Sequence, residues 1–539
     1  MNELRQSSSS QCFDLFREPW ITCVLPDGGV GQYGIEGLLA RAHELSEIID
    51  PSPLVVASVV RLLEAVLLSA LAADDEDDWL DLREHGRFDD DAMRRVGERC
   101  SGGMDLFDAE RPFYQSRDID PAGESERVKS VGYLFPDTAT GTAVVHYAHT
   151  PESAHAFCPV CCAKGLVMLP AFATSGGQGI KPSINGVPPL YVLPVGRSLF
   201  ETLLLNYVLP TYRPPHAAAP DPGPYWLTDG VVGHKEERAA AGFVESLTWP
   251  ARRVRLLAPV LEGACTRCGR LSGQLTQRIV LDQGVSRPKD AAPWLDPWAA
   301  YVWRTDKVGE TTVRPVRPQA ERQTWREVGA LFLAEVPVAE ASARGRAVRP
   351  TIVNQMAALA HEAKKGGLAA VARDRFVAVG IRTDMKGKVF EWRMDRFELP
   401  DSVLGLKAAV PTTHALRQAE TAAEALGNAL LRLHPGSERQ SPSWPDIRAA
   451  MGDAVRLARR QYWNDLEPEF RLRLFDQRLV GDEYAQAAWL SEWTQVVRAT
   501  IVPVLEGVLN ASDDTAPGLR RQEMARHVLY SQLKKGGVA

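Results

Sequence analysis

The sequence predicts an α+β chain in two parts: a large mixed domain over residues 1–399, held by a metal staple, and an all-α four-helix bundle over residues 400–539. Three observations predict it. Two Cys-x-x-Cys pairs lie about a hundred residues apart in the first part. Short apolar runs of both helical and strand period alternate up to Leu399, and beyond Pro400 only helical periods remain.

The elements follow in order. Phe13, Leu15, Trp20, Ile21, Val24 and Leu25 alternate like strands and lead into the turn cluster Pro26-Asp27-Gly28-Gly29. Ile35, Leu38, Leu39, Ala42 and Leu45 form one helical stripe. Leu54 to Ala73 is the most apolar stretch, interrupted by Arg61 and Glu64, which sit three apart on one face. Ser52 is placed to cap this helix and Pro53 to open it, so a buried helix is expected and not a membrane span. From Ser101 to His155 the chain reads as long loops rich in Gly, Pro and Asp. Phe376–Ile381 and Val389–Phe397 flank a turn near Lys386-Gly387, a predicted hairpin. In the second part Leu416, Ala419, Ala423, Leu426, Leu430 and Leu433 recur at steps of three and four. Further helices are expected over Trp444–Leu466, Asp482–Leu509, with a kink at Pro503, and Pro517–Leu533.

Composition bounds the function. The 539 residues are 45% hydrophobic, enough for a large core, and the net charge of −6 argues against nonspecific coating of nucleic acid. No signal peptide precedes the first strand. Eight cysteines are too few for a secreted disulfide scaffold in a chain of this length, so a reducing, cytoplasmic setting is expected.

Cys158-Pro159-Val160-Cys161 and Cys265-Thr266-Arg267-Cys268 are two knuckles, each able to present two thiolates to one ion. Together they close a tetrahedral sulfur shell, which favours structural Zn2+ over catalysis. Gly269 suits the tight turn after the second knuckle. Cys162 can replace Cys161 in such a shell, and His155 can replace a thiolate.

Two loops carry other chemistry. Gly176, Gly177, Gln178 and Gly179 let a backbone approach a ligand closely and aim N–H groups at it. Pro182 after Lys181 rules out a nucleotide-binding P-loop. Asn354 and Gln355 are amides suited to base edges, beside Arg344, Arg346, Arg349, Lys364 and Lys365, although such residues more often cap or solvate a helix. No hydrolase or two-metal motif is visible, so no catalytic residue is assigned.

Several segments resemble one family in shared order: Phe13-Asp14-Leu15-Phe16-Arg17-Glu18-Pro19-Trp20-Ile21, Arg61-Leu62-Leu63, the first knuckle, the glycine loop, Asn185-Gly186 and Leu203-Leu204-Leu205-Asn206. They are similar to the CasA family, the large subunit of the type I-E CRISPR Cascade complex, across nearly the whole chain. The resemblance implies a non-enzymatic subunit that works with other Cascade subunits and the guide CRISPR RNA. It implies a check of a short flanking motif (the PAM) in double-stranded target DNA from the minor groove, whose code is degenerate. It further implies recruitment of a separate helicase-nuclease. By resemblance the PAM loop falls on Gly176–Gly179 and a duplex-opening wedge on Gln355, with Asn354 before it. Met356 follows, where the family pattern has a small residue. A PAM-contacting lysine falls on Lys307, with Arg304 near enough to compete. Val145, His146 and Tyr147 fall on the segment that meets the RNA handle or neighbouring subunits.

Two other readings stand beside this one. A metal-dependent hydrolase would use His146, His149, Asp118 and Asp120. A zinc-stapled scaffold would touch no nucleic acid.

Overall fold

The computed structural model describes residues 12–120, 127–136, 138, 155–175, 180–257, 259, 261–305, 309–335, 345–365, 374–383 and 389–538. In chain order it begins with strands β1 (Ile21–Val24) and β2 (Val30–Tyr33), helix α1 (Ile35–Ala40), strand β3 (Glu47–Ile48) and helices α2 (Pro53–Ala70), α3 (Glu76–His85) and α4 (Asp90–Cys100). Strand β4 (Val128–Ser130), helix α5 (Pro159–Phe172), strand β5 (Tyr191–Val195) and helices α6 (Leu199–Asn206) and α7 (Phe243–Leu247) follow. Strands β6 (Arg252–Leu256), β7 (Leu261–Ala264), β8 (Leu271–Leu275), β9 (Arg278–Gln283), β10 (Tyr301–Thr305) and β11 (Thr311–Pro315) precede the short helix α8 (Val328–Leu331). Strand β12 (Arg346–Val348), helix α9 (Thr351–Lys365) and the hairpin β13 (Asp374–Thr383) and β14 (Val389–Leu399) close the mixed region. Four long helices end the chain: α10 (Leu406–Leu430), α11 (Trp444–Arg473), α12 (Glu483–Asn510) and α13 (Ala516–Lys535).

The chain divides into two compact units, each discontinuous in sequence. One comprises residues 1–301, 313–318 and 350–397, the other 302–312, 319–349 and 398–539. The C-terminal helices thus share their unit with two segments from the mixed region, 302–312 and 319–349.

The mixed unit is built around α2. Buried residues run along it on every side from Pro53 to Leu67, and it contacts α4, α5, α6, α7 and β13. A helix apolar all round belongs at the centre of a core. By length and composition α2 could cross a membrane, but 83% of its apolar window is buried inside the protein. Pro53 occupies its first turn, as expected. Ser52 does not cap it: the Oγ has no partner among the described residues, and the Ser52 N–H donates instead to Asp50 Oδ1 at 2.9 Å.

The strands of this region form small sheets, with orders β2-β1-β3, β14-β13-β5, β4-β9-β6 and β7-β8, and β13 packs on α2. Strand β5 pairs antiparallel with β13, setting Tyr191 opposite Val379 and Val195 opposite Arg375. The predicted hairpin is therefore present, with its turn outside the described residues. The first helical stripe breaks early, at Ala40, and continues as a 3-10 turn over Ala42–Glu44.

In the helical unit α10 contacts α11, α12 and α13. Ala419, Ala422, Ala423, Ala425 and Ala429 are buried beside Leu426 and Leu430. Small side chains on that broad stripe allow neighbours to approach closely. Aromatic polar atoms fix the register: Trp493 Nε1 donates to Ala415 O at 2.9 Å, and Tyr462 Oη to Ala419 O at 3.1 Å. Helix α12 runs on through Pro503.

Arg61 and Glu64 do not form the pair their spacing suggests. Arg61 binds Asp296 through two bonds, at 2.8 and 3.1 Å, and its guanidinium lies over the rings of Tyr191 and Trp298. Glu64 is fully buried, and neither carboxylate oxygen has a partner among the described residues. Burial holds its carboxyl well above the usual carboxylate range. The folded chain thus keeps a proton that the unfolded chain releases near the ordinary glutamate range. The associated stability is complete below that range and falls as pH rises toward the folded value, by at most about 1.4 kcal/mol per pH unit. Glu64→Gln removes this dependence. Its thermal midpoint relative to the parent should rise between pH 5 and pH 8; a constant difference across that window would show that Glu64 ionises freely in the fold.

Candidate metal centre and nucleic-acid interface

Cys158 is the N-cap residue of α5, with Pro159 opening the helix and Cys161 in its first turn. This places two sulfurs at a helix N-terminus, whose exposed N–H groups favour negative charge. Cys265 and Cys268 lie in the turn joining β7 to β8. The Gly269 N–H donates to Cys265 O at 2.9 Å, with Gly269 at φ +74°, a conformation glycine adopts without strain.

Backbone pairing brings the knuckles together. The Thr266 N–H donates to Ala156 O at 2.9 Å, and Phe157 and Thr276 exchange both backbone bonds at 2.9 Å. The Cys158 N–H donates to Cys265 Sγ at 3.3 Å. As a result the Sγ atoms of Cys158, Cys161, Cys265 and Cys268 all lie within 4.8 Å of one another. Cys158 Sγ and Cys268 Sγ are 3.7 Å apart. A tetrahedral zinc with bonds near 2.3 Å separates its sulfurs by about 3.8 Å, so the donor set fits a structural ion.

Electrostatics point the same way. Hydrogen bonds from Cys158 and Cys161 hold the Cys265 thiol far below its ordinary range. The bond to Cys158, then that to Cys265 and burial, push Cys161 far above its own. One thiolate crowded by thiols is what a cation resolves, by accepting all four sulfurs as ligands. The two alternatives left open by sequence lie outside this cluster. Cys162 Sγ faces Phe157 O at 3.7 Å, outside the cluster. His155 packs its ring against Gly132 and is also outside it.

Gly176, Gly177, Gln178 and Gly179 lie outside the described residues, as do Lys307 and Val145, His146 and Tyr147. The segments flanking the glycine loop are described, and they are tied down. The Ser183 N–H donates to Ala173 O at 3.1 Å. Arg252, 8% exposed, donates to Thr174 O and, at 2.8 Å, to Lys181 O. Gln283 Oε1 accepts from the Lys181 N–H at 2.5 Å. Neither Arg252 nor Gln283 carried a sequence signal, because each lies in a strand far from the loop it holds.

Gln355, expected as a wedge, is engaged inside the fold in this structure. Its side chain is fully buried on α9, with Oε1 accepting from the Leu209 N–H at 2.9 Å and Nε2 donating to Tyr207 O at 2.7 Å. Both ends of the amide are occupied, so in this conformation it cannot probe a base pair. Met356 is buried beside it and Asn354 half-buried. Arg349 is likewise no phosphate ligand here: it donates to Phe332 O and Leu404 O, both at 2.7 Å, and burial lowers its pKa to about 10. Arg346 pairs with Glu335.

Of the carboxylates named for a hydrolase, Asp118 is paired with Arg253 at 2.9 Å, and His146 and His149 lie outside the described residues. Among the described residues the four cysteines are the one group of metal-ligating side chains close enough to share an ion.

Comparison with known proteins adds a family. The family model for CRISPR-associated protein Cse1 matches residues 14–502. The CRISPR-associated protein CasA/Cse1 of Thermus thermophilus is 31% identical over 438 residues, 78% of this chain and 77% of that protein. The crystal structure of Thermus thermophilus CasA superposes with a TM-score of 0.76 at 24% identity, covering 97% of this chain and all of that one. A chain of a CRISPR RNA-guided surveillance complex superposes at 0.71 with 21% identity, covering 96% of this chain and 99% of that one.

Cys265→Ser should lose the bound zinc and melt at lower temperature, whereas Cys162→Ser should keep a full equivalent of metal. Zinc content by atomic absorption and thermal melting check both. Full occupancy in the first variant, or loss in the second, would contradict the ligand set.

Proposed function

Because the chain belongs to the CRISPR-associated Cse1 (CasA) family, we propose that it is the large subunit of an RNA-guided surveillance complex of the Cascade type. The observation that carries this reading is end-to-end coverage. The family match and the likeness to a surveillance-complex chain extend over both compact units, not over one shared module.

In this reading the guide RNA reads the target by base pairing, and this subunit inspects the flanking motif in duplex DNA. The glycine loop at Gly176–Gly179 is the element assigned to the minor groove. Its lack of side chains lets backbone N–H groups meet the acceptors exposed there. The anchors at Arg252, Gln283 and Ser183 support that role by fixing where the loop leaves and rejoins the fold. Lys307 is assigned to a phosphate or base edge beside the motif, and Val145, His146 and Tyr147 to the RNA handle or an adjoining subunit. A duplex-opening wedge at Gln355, with Asn354 before it and Met356 after it, belongs to this reading and requires the amide to leave the Leu209 and Tyr207 backbone. The four C-terminal helices are read as a bundle that docks on smaller subunits. A helicase-nuclease recruited in trans supplies cleavage, and the subunit itself supplies none. Zinc held by Cys158, Cys161, Cys265 and Cys268 is structural, cross-linking α5 to the β7–β8 turn, and the working compartment is the cytoplasm.

Coexpression with the remaining subunits and a guide RNA tests the assignment. The expected result is one stoichiometric particle containing this chain and the RNA through successive affinity and size-exclusion steps. Elution of the chain alone, with a complete particle formed without it, would refute the reading.

A further inference from the structure

Within the helical unit, segments 319–330 and 345–347 and helices α10 and α11 enclose a cleft of about 760 Å³. Six of its nineteen lining residues are arginine and four are glutamate, a surplus of two positive charges on a chain whose net charge is −6. Part of that charge is neutralised within the wall. Arg322 is paired with Glu327 and Glu420, and Arg326 holds Glu420 at 2.8 Å.

Two arginines on α11 are not neutralised in this way. Arg459 donates its Nε to Ala423 O at 2.9 Å, and neither it nor Arg460 has a carboxylate partner among the described residues. Arg456, one turn before Arg460, has among the described residues only an exposed pair with Asp453 at 3.0 Å. The wall opposite also seats Arg459. A side chain at Gly427 of α10 would collide with its guanidinium, so the glycine leaves the space it fills. The fork is thus held in place with donor capacity remaining, which is how an arginine recognises phosphate oxygens.

We propose that this cleft binds the phosphate groups of a single nucleic-acid strand, with Arg459 and Arg460 as the anion ligands. Residues Arg456 to Arg460 advance by about 6 Å along α11, and the lined stretch from Gly452 to Trp463 by about 16 Å, room for more than one phosphate. The choice of a nucleic-acid strand over other phosphate compounds rests on the proposed function; the arrangement of charge does not.

The test uses the full chain and a fluorescein-labelled single-stranded 15-mer of thymidylate, read by anisotropy at low salt. Arg459→Ala with Arg460→Ala should weaken binding at least tenfold and reduce the slope of log affinity against log salt by about 1.4, for two lost contacts. Arg460→Glu, at an exposed position, should weaken it with no change in thermal midpoint, and Gly427→Ala should weaken it severalfold by displacing Arg459. Unchanged affinity in the double variant and in Arg460→Glu would overturn the proposal. Displacement by polyglutamate as effective as by unlabelled strand would overturn the phosphate assignment, and equal displacement by ATP would overturn the strand. Motif-dependent duplex binding by the assembled complex reports on the proposed function separately, so either can fail alone.

Discussion

Four sulfur atoms from segments 107 residues apart share one small volume, and the mixed unit depends on that closure. Thiolates at such distances repel unless a cation accepts them, so an ion bound there would be coupled to the fold. The cluster seizes the N-terminus of α5, while the C-terminus of that helix leads into the glycine loop. Between them the helix is packed against the central apolar α2. An ion held there would fix one end of the helix, and Arg252 and Gln283 hold the chain beyond the other. The segments on either side of the glycine loop are thereby tied to the fold.

The part of this visible in sequence was the part with local period. Paired Cys-x-x-Cys spacing, the strand–turn–strand pattern around residues 384–388 and the small-residue stripe of α10 all depend on neighbours a few positions away. What the sequence concealed depends on contacts across hundreds of residues. Arg61 and Glu64 suggested a local pair, whereas Asp296, 235 positions distant, is the true partner of Arg61. The burial of Gln355 follows from a pattern the sequence did contain. Ile352, Gln355, Met356 and Leu359 fall at helical steps of three, one and three, and all four are buried. An amide inside such a stripe serves the backbone beside it. Here that backbone is the Tyr207–Leu209 connection after α6, where helical hydrogen bonding has ended and polar groups need partners.

The motifs that carry the family resemblance turn out to be largely internal. Asn185 Nδ2 donates to Asp296 Oδ2 and Tyr191 Oη, both at 2.9 Å, so it joins the buried pair with Arg61. Asn206 accepts from Trp298 Nε1 at 2.9 Å. These residues make a polar network in which every member constrains another, and removal of one leaves buried charge or dipole unmatched. The recognisable order of motifs thus reports chiefly on a core that sets where loops emerge. Reading of DNA is proposed for the loops, and phosphate binding for one cleft of the helical unit, where bulk, charge and glycine placement are the relevant variables.

Within an RNA-bearing particle, this chain is assigned the sensing of DNA outside the paired target. The direct measurement is the affinity of the assembled complex for a matched duplex, with the flanking motif present or scrambled and with this subunit present or omitted. Tight binding that requires both the motif and the subunit is the predicted result. Equal affinity for motif-bearing and scrambled duplexes when the subunit is in place would contradict it.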